Sequence, residues 1–397
     1  MKYYVLICLL FYLAATACKQ ESDNAIAINS NGIPVVYFEK ITETGELKLS
    51  DIASDLEIVR LETNEDCMID YVMRAHITDD YIIISTVSRG IYLFSREGKY
   101  IRQIAGTGNG PGEVNDPNRN LEYSESQNSL YATESWGFPS KIFSFNIENG
   151  SYREIALPQL SESALYSIRD VIPQSDSTLL VSTISGINDS LNCRVMAIDP
   201  EGKLLWQLNH SNAYGSYNVK LYRINDMTYF CYTLAGDTLF SLANKSLTPF
   251  VIFKSEREQY SFNRENKPGD ISYSYRVFNN ELIIGSYHSI TDFDESRPGR
   301  KRPVYGKSKS FVFNFKKNRA YLVDKFQDDF LGSGYIFYQP QMNGFCWRPF
   351  NPQDILELNE KNQNDPDVDQ EIKDRVQKLA GEIDINDNPV ILIGKMK

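Results

Sequence analysis

The stretch GTGNGPGEV, Gly106 to Val114, is the place where residue types and spacing first suggest chemistry. Four glycines between Gly106 and Gly112 let a backbone bend sharply or approach a bound group closely. A phosphate cradle needs GxxxxGK[ST] and then a helix whose N-terminus faces the anion. No lysine follows here, GxGxxG is not met, and Pro111 and Pro117 deny the segment a helix. Gly306-Lys307-Ser308 is a bare GKS, because the earlier glycine position holds Lys301. The loop therefore reads as a crossing between two elements, with Glu113 placed to bond its free amides.

Other catalytic signals are sparse. The chain has three histidines, and neither HExxH nor GxSxG occurs. His76 and His288 lie in strand-like runs, and no catalytic residue is assigned. Asp70, Asn118, Asp170 and Asn218 stand near the starts of apolar strands. They suit either turns or an oxygen-ligand metal site. Exposed loops offer a better binding surface. GTGNGPGEV, ESWGFPSK (134–141), HSNAYGSY (210–217) and SITDFDESRPGRKRPVYGKSK (289–309) carry aromatic and arginine residues of the kind recognition uses. The binding candidates are Glu113, Trp136, Phe138, Tyr214, Tyr217, Arg300, Arg302 and Tyr305, with Arg297 and Lys301 extending the basic run.

The 397 residues carry a net charge of −11, which argues against a nucleic-acid partner. Residues 1–17 have one lysine, an apolar run and small residues before Cys18, the pattern of a signal peptide. Ala15-Thr16-Ala17-Cys18 resembles a lipobox, with Ala where Leu is usual, so Cys18 is expected to carry lipid. Residues 18–32 are polar and read as a flexible tether to a membrane that the chain does not span. Cys67, Cys193, Cys231 and Cys346 are scattered without CxxC, as free buried thiols would be.

The elements that must position these residues come from a repeat of about 50 residues. Each unit has a first strand (IDYVMRAHI, RNLEY, SIRDVIP, NVKLYRIN, ISYSYRVF, GYIFYQP) and a second (YIIIST, SLYATES, TLLVST, TYFCYTL, ELIIGSYH, GFCWRPF). The first five continue into a hairpin such as IYLFSREGKYIRQIAG, turning at REGK, IENG, PEGK, ANKS or KKNR. Four antiparallel strands repeated six times predict an all-β, six-bladed β-propeller over 33–397. The sixth unit ends in NPVILIGKMK and lacks an outer strand, which DLEIVRLE (55–62) is expected to supply. An insertion over about 351–387 predicts one short helix. It starts at Asp365-Pro366, has an apolar stripe of Val368, Ile372, Val376 and Leu379, and ends at Gly381.

The lipobox, LEIVRLET, FSREGKYIRQIAGTGNGPGEV and DNPVILIGKMK together resemble the six-bladed, NHL/TolB-like propeller lipoproteins of the Bacteroidetes. The resemblance covers about residues 50 to 397 and implies an outer-membrane or envelope location. It implies little chemistry. The expected function is a monomeric, non-catalytic binding or scaffold propeller for a protein, peptide or glycan, without a cofactor. The alternative is a hydrolase or lyase with calcium in the central channel, of which some six-bladed propellers are examples.

Overall fold

Second strands such as Tyr81–Thr86 and Ser129–Thr133 are buried along nearly their whole length, because neighbours cover both of their faces. The outer strands of blades 1 and 3 alternate instead. Tyr100–Ala105 and Leu204–Asn209 turn every second residue to solvent. In a computed structural model these segments form six sheets. The structure describes residues 25–115, 120–134, 141–159, 166–185, 193–209, 219–224, 227–232, 237–259, 265–297, 300–334, 339–341 and 343–397.

Blade 1 spans Val72–Ile77 to Tyr100–Ala105 and blade 2 spans Asn120–Ser124 to Tyr152–Ala156. Blade 3 runs from Tyr166–Pro173 to Leu204–Asn209, blade 4 from Val219–Ile224 to Ser246–Lys254, and blade 5 from Ile271–Val277 to Arg319–Gln327. Blade 6 orders Gln339–Pro340, Phe345–Phe350, Val390–Met396 and Ala53–Arg60. The ring is the six-bladed β-propeller that the repeat predicts.

The core is divided among the blade interfaces. Ile82, Ile84 and Phe94 pack on Trp347, Ile391 and Ile393, joining blade 1 to blade 6. Ile83 and Leu93 meet Leu130 and Phe143 between blades 1 and 2, and Tyr131 and Ile142 meet Val181 and Met196 between blades 2 and 3. Closure follows the expected route. Val390–Met396 pairs with Phe345–Phe350 on one side and with Ala53–Arg60 on the other, both antiparallel. Asn388 secures it, with Nδ2 donating to Glu62 O and Cys67 O at 2.6 and 2.7 Å and Oδ1 accepting from Ile69 N–H at 2.8 Å.

Three features differ from the expectations. Residues 26–48 form a strap. Ile26–Ile28 pairs with Pro34–Tyr37, which adds in parallel to the outer edge of blade 4, and Thr44–Lys48 adds in parallel to that of blade 5. The part of the expected tether from Ala25 onward is thus packed on the propeller. Residues 289–309 are largely a projecting hairpin instead of a loop. Leu282–Arg297 runs past its blade and pairs with Arg300–Tyr305, a strand hidden in the sequence by its charges and Pro303. Finally, the insertion holds two helices, Pro352–Asn364 and Gln370–Ala380, where one was expected. The first has only a thin buried stripe of Pro352, Ile355, Leu358 and Asn362, too weak to stand out beside its polar residues. The second starts after Asp369 and buries Ile372, Val376 and Leu379 against blades 5 and 6.

Candidate functional site

The glycine loop closes on its own acid. Glu113 Oε2 accepts from Gly110 N–H at 2.8 Å, and Val114 N–H donates to Gly106 O at 3.0 Å. A Cβ on Gly108 would lie 2.1 Å from Glu113 Oε2. Gly112 has φ +78°, a conformation that favours glycine, and faces the Tyr152 ring of the next blade. The loop is thus filled by an internal carboxylate, as expected of Glu113 from the sequence.

The other binding candidates are dispersed. Arg302 and Tyr305 sit on the projecting hairpin of blade 5, where Arg302 is exposed beside Asp294 and Tyr305 meets the His288 ring edge-on at 4.1 Å. Arg300 lies on the same strand, with its side chain outside the described residues, as are those of Arg297 and Lys301. Cys18, Trp136, Phe138, Tyr214, Tyr217, Asn118 and Asn218 all lie outside the described residues. Asp70 is turned into its own blade, where Ser88 donates through N–H and Oγ at 2.9 and 2.5 Å. Burial pushes its carboxyl up, but the bonds from Ser88 and Tyr71 outweigh it and hold the group below the usual value. Cys67, Cys231 and Cys346 are buried free thiols, with burial pushing Cys231 and Cys346 up to about 12, and the Cys193 side chain lies outside the described residues.

A different set of residues converges at the centre of the ring. Side chains there stitch inner strands to their neighbours at five of the six blade junctions among the described residues. Gln341 of blade 6 donates to Ala75 O at 2.6 Å and accepts from Ile77 N–H at 2.9 Å. His76 of blade 1 approaches Glu122 of blade 2, Nδ1 to Oε2 at 3.4 Å. Asn120 donates to Val171 O of blade 3 at 3.3 Å. Asp170 Oδ2 accepts from Ser182 Oγ at 2.7 Å and from Leu221 N–H of blade 4 at 2.9 Å. Tyr222 Oη accepts from Val277 N–H of blade 5 at 3.1 Å.

Within this polar collar lies a cavity of about 140 Å³ lined by Arg74, Arg169, Lys220, Arg223 and Arg276, against only Glu122 and Asp170 as acids. Arg223 donates to Gln174 Oε1, and the Lys220 ammonium lies 5.6 Å from the Tyr222 ring centre. Arg169 and Arg276 form no side-chain hydrogen bond or ion pair within the described residues. Burial pushes the Lys220 ammonium below its ordinary value; Arg276 and Arg74 push the same way, and Asp170 opposes them. Arg74 is lowered in the same manner, first by burial, with Asp170 opposing and Arg169 and Arg276 reinforcing. The cations are therefore close enough to repel one another.

Sequence reasoning did not single these residues out, although the strands that carry them were recognised. The signal was a basic residue in the middle of strands that must be covered on both faces, as in VMRAHI, SIRDVIP, VKLYRI and ISYSYRV. The same lining bears on calcium, which takes about six to eight oxygen ligands. Among the described residues no three or more His, Cys, Asp or Glu side chains gather as a metal cluster. Asp170 of the four expected ligands reaches the cavity, but its carboxylate is engaged between blades 3 and 4. The described donors do not fit a calcium site.

Six four-stranded blades around a cation-lined centre define a six-bladed β-propeller with a polar channel. The chain belongs to the family described as domain of unknown function DUF4934, whose model matches residues 33–395. A crystal structure of a protein from Bacteroides fragilis NCTC 9343 that is described as a putative exported protein is similar in fold. Its identity is 15%, its TM-score is 0.62, and the match covers 89% of this chain and 98% of that one. An oligogalacturonate lyase in complex with manganese matches more distantly, at 11% identity and a TM-score of 0.36, over 86% of this chain and 91% of that one. Likeness at that distance carries no functional argument. No curated protein matches the sequence.

Proposed function

We propose that this protein is an extracytoplasmic binding propeller, anchored in the cell envelope by lipid on Cys18, that receives its ligand at the central channel without covalent chemistry. One observation carries this reading. The channel groups suited to act as acid or base, His76, Glu122 and Asp170, are engaged between blades, while Arg169, Lys220 and Arg276 are left to face the cavity. The fold neighbour described as exported and the signal-like residues 1–17 support the location. They also support a place among the NHL/TolB-like envelope lipoproteins that the sequence resembles. With the strap beginning at Ala25, residues 19–24 span at most about 20 Å, so a lipid on Cys18 holds the blade 4 rim near the membrane. The loop aromatics expected from the sequence, Trp136, Phe138, Tyr214 and Tyr217, contribute further ligand contacts in this reading.

Calorimetric titration of the purified chain with a panel of saccharides and peptides, followed by recovery of the ligand, tests the proposal. Saturable binding with the ligand returned intact is expected. Recovery of a cleaved ligand would overturn the non-catalytic reading. Fractionation tests the anchor: Cys18→Ala should leave the membrane fraction, and retention there would refute lipidation.

A further inference from the structure

We infer that the channel is a site for a compact oxyanion group carrying at least two negative charges, such as a phosphate monoester or a pair of carboxylates. This inference rests on the binding reading above and names the chemistry of the ligand.

The protein is acidic overall, at −11, yet its central cavity gathers five cationic side chains against two acidic ones. Such an excess is not what closing a ring of blades requires. The collar of Gln341, Asn120, Asp170 and Tyr222 already satisfies the inner strands through bonds to backbone groups. Gathering like charges at half-buried positions such as Arg74, Arg169 and Lys220, with the more exposed Arg276 beside them, costs free energy. The cost appears in the behaviour of Arg74 and Lys220, each disfavoured by burial and by neighbouring guanidinium groups. An anion bound among these cations offsets that repulsion.

The chemistry of the lining then narrows the ligand. Guanidinium groups present planar forks that match two oxygens of a carboxylate or phosphate, whereas a lysine ammonium acts as a point charge. Arg169, Arg276 and Lys220 come from three successive blades, so their donors approach the cavity from different directions. A group with several oxygens around one centre, or two carboxylates close together, can answer all three at once. A singly charged acid cannot balance an excess of three cations. The volume of about 140 Å³ admits such a head group with part of its carrier and excludes a bulky aromatic anion from full entry.

The test uses the full mature chain and three probes of known charge: inorganic phosphate, malonate and acetate. Calorimetry at low and high sodium chloride should show phosphate or malonate binding at least about tenfold tighter than acetate, weakening as salt rises. Arg276→Gln and Arg169→Gln should each weaken the dianion about tenfold or more, while Lys317→Gln in the exposed outer turn of blade 5 leaves it unchanged. Two variants guard against one failing to fold. The relative response to phosphate and malonate separates the two sources of charge. Equal affinity for acetate and the dianions, or equal binding by wild type and both channel variants, would overturn the inference. Binding of only neutral saccharides would overturn it while leaving the binding-propeller reading intact, and ligand cleavage would sink that reading instead.

Discussion

Glu113 Oε2 accepts the Gly110 N–H at 2.8 Å, so the most glycine-rich loop of the chain folds around a carboxylate supplied from within itself. Removing that acceptor leaves a partly buried amide unpaired. Glu113→Ala should cost about 1–3 kcal/mol, and Glu113→Gln, which keeps an oxygen acceptor, should cost less. Urea denaturation of both variants checks this. Indistinguishable stability of wild type and Glu113→Ala would show that the loop does not need its acid.

Gln341 joins the last blade to the first through both ends of its amide, to Ala75 O and Ile77 N–H. Gln341→Leu keeps the bulk and orphans two buried backbone groups. A loss of about 2–4 kcal/mol is expected, since each unsatisfied group costs about 1–3 kcal/mol. The fall in thermal midpoint measures it, and a change below about 0.5 kcal/mol would mean that water replaces the amide.

Phe38 of the strap is fully buried, 4.9 Å from the Tyr273 ring centre and 4.8 Å from that of Tyr287. Phe38→Ala should destabilise by about 3–5 kcal/mol through lost burial and the cavity left behind. Limited proteolysis should then cut first within residues 26–48. Preserved resistance there would show that the parallel strand pairs hold the strap without this anchor.

Lys220 faces Arg276, Asp170, Arg74 and Cys231, and burial is the main cause of its lowered pKa. Between that lowered value and the ordinary lysine value of about 10.4, the unfolded chain binds more protons than the folded one. The contribution of Lys220 to stability therefore rises with pH through this window and is lost as pH falls through the folded value. Lys220→Met should be more stable than wild type near neutral pH, and the advantage should shrink as pH approaches about 10.4. Paired denaturation curves from neutral to alkaline pH test the sign. An advantage that grows with pH would contradict it.

Val390–Met396 lies inside blade 6, bonded to strands on both sides. Deleting the last ten residues, 388–397, should abolish cooperative unfolding instead of fraying one end, because ring closure and the Asn388 links go together. A truncated chain with a sharp, native-like transition would refute this.

The blades were legible because strand burial leaves a periodic trace. Runs such as YIIIST and YIRQIA recur with glycine turns at a constant spacing, and the ending NPVILIGKMK lacks a partner that only DLEIVRLE can supply. The strap was not legible, since PVVY and TGELK are too short to announce themselves as strands until a neighbouring edge receives them. The hairpin over 289–309 was obscured in the same way, by charges that an exposed strand pair tolerates.

The sequence by itself determined the blade count, the order of closure and the role of GTGNGPGEV as a crossing, because these depend on local periodicity and on backbone freedom at glycine. Only the tertiary structure decided where the chemistry gathers. Arg74, Arg169, Lys220 and Arg276 are separated by 95, 51 and 56 residues in turn, and none forms a motif with another. They meet because each inner strand points its middle residues at the same axis. That convergence of distant side chains on one axis is a long-range relationship that no local pattern encodes.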